Sequence, residues 1–171
     1  MRSVRAYRRS TTKGDTRLHL FDTPQFGLLH FACHNTFMTD SPTSTYVKFG
    51  GQHFEPTFLA GYRQSFSSQC PLVFMNACRS AGEAPNYTQL VGWADSFLSA
   101  GAGAYVGSLW EVRDSSASTF AETFYAQVLA GSTLGDAMVK ARKAIQDIPG
   151  DPTWLAYSLY GNPNAIVAKE A

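Results

Sequence analysis

Short apolar runs alternate with helical patterns along most of this chain. Three runs are apolar on both faces, as the buried strands of a parallel sheet are: 26–32, 71–77 and 103–110. Apolar residues recur at helical spacing over about 88–100, 115–130 and 132–147. This alternation predicts an α/β domain whose sheet is mainly parallel and is flanked by helices on both faces.

Shorter segments complete the predicted element order. Residues 45–49 indicate a short strand or hairpin arm, which Gly50 and Gly51 follow. A short helix is predicted within 55–65, and a last strand over 154–160, which ends at a Gly-Asn-Pro turn. Before the first buried strand, only residues 17–21 (RLHLF) have an element-like pattern.

Composition favours one folded domain with a basic extension. The chain has 171 residues, of which 44% are hydrophobic and only 16% are charged, and this excludes a disordered protein. Residues 1–17 hold six basic side chains against one acid. We predict a basic arm over 1–22, either flexible or the remnant of an upstream segment, and a folded domain over 23–168. Because the arm has one aromatic residue, Tyr7, we expect no nucleic-acid partner.

The cysteine count points to a reducing compartment. Three cysteines and no apolar signal segment predict a cytoplasmic protein without a disulfide framework. No apolar run approaches the ~20 residues of a membrane span, so no membrane partner is expected. His30 and His34 would lie ~13 Å apart on an extended strand, which is too far to share a metal ion. The sequence predicts no metal and no cofactor.

Two reactive side chains follow the first two buried strands. His34 comes after the first and Cys78 comes directly after the second. Active groups of open parallel sheets gather at the carboxyl ends of strands, and neighbouring strands lie about 4.8 Å apart. A cysteine nucleophile needs a base or cation that holds it as the thiolate. The sequence therefore predicts a Cys–His pair, whereas Cys33 and Cys70 are interpreted as buried or strand-edge thiols.

Several segments resemble one known family. FGLLHFACHN at 26–35, LVFMNACRSAG at 72–82, GWADSFLSAGAGAYVGSLWEVRD at 92–114 and the closing WLAYSLYGNP resemble CHAT domains. These are a branch of the caspase-like cysteine peptidases, in the same clan as caspases and separase. The resemblance covers residues 26–163 and implies a caspase-like fold.

The resemblance implies roles for particular residues. Cys78 would be the nucleophile and His34 the general base and acid, without a third catalytic acid. The backbone N–H groups of Cys78 and Asn35 would form the oxyanion hole.

Four residues near the pair are expected to bind the substrate: Asn76, Arg79, Trp110 and Asp114. Asp114 has two interpretations. It is either the N-cap of the helix that starts at Ser115 or an acid that lines the pocket for a basic substrate residue. In the second case cleavage after Arg or Lys follows, with Glu111 and Asp95 as weaker candidates.

These observations predict an intracellular cysteine endopeptidase that forms an acyl-enzyme. Such domains are signalling proteases that cut few sites in protein or peptide substrates, often under the control of a regulatory or sensor partner. The alternative is an inactive CHAT-like interaction module. It is suggested by Asn35 where CHAT domains usually have Gly, by Ala81, and by the short region before the His34 strand. A third hypothesis is a thiol hydrolase that acts on esters or small amides.

Overall fold

A computed structural model of the protein describes residues 27–36, 46–49, 52–78 and 88–167. The predicted basic arm, the segment 17–21, Arg79 and Ala81 lie outside these ranges.

The described residues form one six-stranded sheet with strand order β3-β2-β1-β4-β5-β6. The three central strands, β1, β4 and β5, are parallel, while β2, β3 and β6 are attached in antiparallel pairs. The predicted mainly parallel sheet is therefore confirmed for the centre, and the segment at 45–49 is one arm of a hairpin. The strand bounds are β1 Leu28–Thr36, β2 Tyr46–Phe49, β3 Gln52–Phe54, β4 Leu72–Cys78, β5 Ala104–Ser108 and β6 Tyr157–Gly161.

Helices cover both faces of this sheet, as predicted. A 3₁₀ helix, Pro56–Tyr62, leads into α1, Arg63–Gln69, and both pack with α2, Thr88–Ala100, on one face. We call this the α2 face. The opposite face, called the α3 face, is covered by α3, Asp114–Leu129, α4, Leu134–Lys143, and the short α5, Thr153–Ala156.

Strand β4 shows why the buried strands are continuously apolar. Val73, Met75 and Ala77 join the cluster on the α2 face, whereas Leu72 and Phe74 join the cluster on the α3 face. Because successive side chains point to opposite faces, a strand covered on both sides has no position left for a solvated residue.

Helix α2 ends at a close contact that requires glycine. Gly101 has a φ of +112°, and a Cβ added there would lie 2.6 Å from the backbone nitrogen of Ser67 on α1. Any side chain would collide with α1, so this residue sets how closely the two helices approach.

The structure corrects the predicted bounds of the first and the last strand. Strand β1 does not end before His34 but continues to Thr36, because Asn35 and Thr36 pair with Val47 and Tyr46 of β2. The predicted last strand over 154–160 begins as helix α5, and its extended part starts only at Tyr157.

Candidate active site

His34 and Cys78 are direct neighbours in the sheet. Parallel strands β1 and β4 are paired without interruption from Leu28 beside Leu72 to His34 beside Cys78. Adjacent strands lie about 4.8 Å apart, so the two backbones approach closely. Cys78 is the last residue of β4. His34 lies inside β1, two residues before its end, rather than beyond the strand as the sequence suggested.

The hydrophobic core fixes this register. Leu29 lies beside Val73 and Phe31 lies beside Met75, and all four side chains are buried on the α2 face. A slip of one residue would move each of these side chains to the other face of the sheet. The core residues that precede the two reactive residues therefore determine that His34 and Cys78 occupy neighbouring positions on the paired strands.

His30 belongs to the packing below this pair. Its ring stacks on Phe74 at a centroid distance of 5.2 Å, and its Nδ1 is hydrogen-bonded to the Tyr125 hydroxyl at 2.6 Å. The His30 side chain remains exposed, and its partial desolvation lowers its pKa, whereas burial raises the pKa of Tyr125. These contacts agree with the prediction that His30 is a packed strand residue.

Asn35 has an extended backbone within β1, in register with Val47. In the part of the chain that the structure describes, Cys70 is the one non-glycine residue with a positive φ. Position 35 therefore does not use the left-handed conformation that would favour glycine, and asparagine causes no backbone strain there. Its predicted role as an oxyanion-hole donor stays a prediction.

Asn76 is held by a residue that the sequence analysis did not single out. The Tyr157 hydroxyl on β6 donates a hydrogen bond of 2.8 Å to Oδ1 of Asn76. Two residues apart in one strand, positions 76 and 78 belong to the same face of β4. The only signal for Tyr157 in the sequence is general, namely that a buried tyrosine usually finds a partner for its hydroxyl.

A surface depression lies where the chain leaves β5, the strand next to β4. It has a volume of about 560 Å³ and is lined by Glu111, Val112, Arg113, Asp114, Asp151, Pro152 and Thr153. The depression is at the carboxyl end of β5 and thus at the same edge of the sheet as Cys78.

Asp114 is exposed and lines this depression, and the interpretation of Asp114 as an N-cap is wrong. Helix α3 begins at Asp114 itself, and Arg113 occupies the N-cap position with an extended backbone. Glu111 lines the same depression, whereas Asp95 is exposed on α2 and is not brought to it.

Trp110 is half-buried at the edge of the core. It packs against the cluster on the α3 face, and its indole N–H is buried without a hydrogen-bond partner in the described chain.

The cysteines outside the pair differ from each other, since Cys33 is half-buried in β1 while Cys70 is exposed. The expectation of a buried or strand-edge thiol therefore fails for Cys70, which occupies the left-handed C-cap of α1.

Asp151 was also missed by the sequence analysis. Its side chain is buried and accepts hydrogen bonds from the Ser116 and Thr153 hydroxyls and from the Thr153 backbone N–H. The two hydroxyl donors lower the pKa of this carboxyl group. The local pattern Asp-Pro-Thr is an available signal, because Asp often accepts from the backbone two residues on.

The described residues show neither a metal site nor a membrane-spanning helix. They contain no group of three or more His, Cys, Asp or Glu side chains placed to hold a metal ion. None of their helices has the length and apolar character that crossing a membrane requires.

Comparison with solved structures defines the class of fold. The chain is similar to gingipain R (RgpB), an Arg-specific cysteine proteinase, with a TM-score of 0.65 and 17% sequence identity. The alignment covers 91% of this chain and 37% of gingipain R. The complex of the Porphyromonas gingivalis RgpB pro- and mature domains gives a TM-score of 0.62 and 18% identity, covering 91% and 38% of the two chains. The protein thus has a caspase-like cysteine peptidase fold, and it spans under two fifths of these neighbours.

The family follows from the sequence itself. The family model of the CHAT domain matches residues 6–162. The chain therefore belongs to the CHAT domain family, which confirms the resemblance given by its motifs. A search among curated proteins finds no match.

Proposed function

We propose that this protein is a cysteine endopeptidase in which Cys78 and His34 form the catalytic dyad. The observation that carries the proposal is the register of β1 and β4, which makes the two residues neighbours in the fold of a peptidase family. No third catalytic acid is included. The extended backbone at Asn35 supports activity, since it removes one of the reasons to suspect an inactive domain.

The proposed reaction has two steps. The Cys78 thiolate attacks the scissile carbonyl carbon, and His34 gives a proton to the leaving amine as the C–N bond breaks. The resulting thioester is then attacked by water, His34 takes the proton of that water, and the C–S bond breaks to release the acid product. The backbone N–H groups of Cys78 and Asn35 would stabilise the tetrahedral oxyanion.

We propose substrates with a basic residue before the cleaved bond. Two exposed acids, Glu111 and Asp114, line the depression at the carboxyl edge of the sheet. The single cation there, Arg113, donates from its guanidinium to the Gly150 carbonyl at 2.9 Å. The exposed Asp114 carboxylate thus favours a positive substrate side chain, and gingipain R, whose fold is similar, is an Arg-specific cysteine proteinase. Asn76, Arg79 and Trp110 remain proposed contacts of the substrate.

The proposal extends to the biological setting of the protein. We infer a cytoplasmic signalling protease that cuts few sites in protein substrates under the control of a regulatory or sensor partner. The inference follows from the family resemblance and from the odd number of cysteines.

Alkylation by iodoacetamide at about pH 6 tests the dyad. An ordinary thiol with a pKa of about 8.5 is ~0.3% thiolate at this pH, whereas a thiolate paired with imidazolium is largely ionised. We expect Cys78 to react on the order of a hundred times faster than the exposed Cys70, which serves as an internal control. Peptide mass mapping resolves the two sites, and His34→Ala should abolish the preference for Cys78.

Matched controls make the result specific. His53→Ala removes another histidine, exposed on β3, and should leave the preference intact. Cleavage of a peptide library should then show products ending in Arg or Lys, and Cys78→Ala should remove them. Equal reactivity of Cys78 and Cys70 in folded protein would refute the dyad and favour an interaction module. A reactive Cys78 with intact peptides would instead indicate a hydrolase of esters or small amides.

A further inference from the structure

A buried carboxylate ties together the two segments that enclose the depression. Asp151 is 5% exposed, and its hydrogen-bonding neighbours Ser116 and Thr153 are each 1% exposed. One carboxylate oxygen accepts from the Ser116 hydroxyl at 2.5 Å. The other accepts from the Thr153 backbone N–H at 2.9 Å and from the Thr153 hydroxyl. Asp151 therefore joins the first turn of α3 to the start of α5.

The connection between β5 and α3 is fastened to the same segment at several points. The Leu109 N–H donates to the Ala156 carbonyl at 2.8 Å. The Arg113 N–H donates to the Thr153 hydroxyl oxygen at 3.3 Å, and its guanidinium donates to the Gly150 carbonyl. Thr153 is thus the bridge, since its hydroxyl donates to Asp151 and accepts from Arg113.

We propose that Asp151 is a positioning residue that fixes the connection 109–114, and with it Glu111 and Asp114, in the place where a substrate side chain is bound. The inference rests on the proposed peptidase function. Asp151 does not touch the reacting atoms, and it acts through Ser116 and Thr153.

Charge and geometry make a carboxylate the suitable group. A carboxylate accepts at both oxygens, so it satisfies Ser116 on one side and Thr153 on the other. Asparagine has nearly the same shape but one accepting oxygen, and its NH₂ group would face a hydroxyl or N–H donor. Asp151→Asn therefore removes the charge and one accepting oxygen while it adds no bulk, and Ser116 can keep its link only by accepting from the weaker, neutral NH₂ group.

The test measures substrate positioning separately from cysteine reactivity. The probes are a peptidyl acyloxymethyl ketone ending in Arg, which must occupy the substrate site, and iodoacetamide, which need not. The readout is the ratio of their second-order rates at Cys78. We expect Asp151→Asn and Thr153→Val to lower this ratio about tenfold or more, because misplaced substrate contacts are costly for reaction. Thr153→Ser keeps the hydroxyl and should restore most of the ratio.

Asp147→Asn is the matched control, since Asp147 is exposed in the neighbouring loop and makes none of these hydrogen bonds. An unchanged ratio in Asp151→Asn would overturn the inference, as would an equal fall in Thr153→Ser and Thr153→Val. Hydrogen exchange of the amides over 109–117 gives a readout that needs no activity. We expect faster exchange in Asp151→Asn than in Asp147→Asn.

This second measurement distinguishes the failure of the inference from the failure of the proposed function. If Cys78 of the wild-type protein reacts with neither probe, the peptidase function fails. The proposal that Asp151 positions a substrate site then fails as well. Faster amide exchange over 109–117 in Asp151→Asn than in Asp147→Asn would still establish that Asp151 anchors the connection. If Cys78 reacts but exchange over 109–117 is the same in both variants, the dyad stands and the role of Asp151 is overturned.

Discussion

The buried tyrosines on the two faces of the sheet differ in whether their hydroxyl groups have a hydrogen-bond partner in the described chain. On the α2 face, Trp93 and Tyr105 are buried in an aromatic cluster, and neither the indole N–H nor the hydroxyl has a hydrogen-bond partner in the described chain. On the α3 face, the Tyr157 hydroxyl holds Asn76, and Ser116 and Thr153 hold Asp151. The α2 face thus contributes packing, whereas the α3 face also positions groups at the edge where Cys78 lies.

The largest expected effect is on the α2 face, where aromatic rings pack around Phe97. Phe97 is fully buried, and its ring contacts those of Phe31, Trp93 and Tyr105. Phe97→Ala should lower the free energy of unfolding by about 4 kcal/mol, measured by urea denaturation. Asp95→Ala on the exposed side of the same helix should change it by under about 0.5 kcal/mol. A loss of under about 1 kcal/mol at Phe97 would show that this face is not the packed core.

The second prediction concerns the pH dependence of the α3 face. The hydrogen bonds to Asp151 lower its pKa in the folded state below the value of about 3.9 expected for the unfolded chain. The carboxylate therefore stabilises the fold above about pH 4, and this contribution is lost as the pH falls through the folded-state pKa. Asp151→Asn should cost about 2 kcal/mol near neutral pH.

The difference between wild type and Asp151→Asn should shrink as the medium is acidified, because a protonated Asp resembles Asn. Urea denaturation at several pH values measures it, with Asp147→Asn as the control. A difference that is constant down to about pH 3 would mean that the ionised carboxylate is not what stabilises this face.

The smallest expected effect comes from replacing a buried tyrosine by phenylalanine. This substitution should lower the free energy of unfolding on the α3 face and leave it unchanged or raise it on the α2 face. Tyr157 and Tyr105 are both fully buried on adjacent strands. Tyr157→Phe removes the donor to Asn76 and should cost about 1 kcal/mol of unfolding free energy. Tyr105→Phe removes a buried hydroxyl without a partner in the described residues and should be neutral or stabilise the protein by up to about 1 kcal/mol.

Thermal and urea denaturation of the two single variants and of the double variant measure the change in unfolding free energy that each substitution causes. Equal losses at both positions would remove the distinction between the faces. A strong coupling between the two substitutions would show that the hydroxyls act in one network rather than separately.

Much of the fold could be predicted from local pattern. The apolar run over 71–77 predicted β4 because both faces of a central strand are covered, and helical spacing gave α2 with the bounds that the structure has. The end of β1 was mispredicted, since Asn35 and Thr36 are extended through pairing with β2, and local sequence does not contain that partner. Helix α3 begins one residue earlier than predicted, so Asp114 is its first residue and Arg113, not Asp114, is its N-cap.

The sequence by itself determined the family, the buried strands and the two reactive residues, because motifs and periodicity are local properties of the chain. Only the tertiary structure decided that His34 lies beside Cys78, that Tyr157 holds Asn76 across 81 positions, and that Asp151 reaches Ser116 across 35. Such contacts depend on strand register and helix placement, which the packing of the whole core sets. The polar groups around the candidate site are therefore recognisable only once the sheet and its α3 face are assembled.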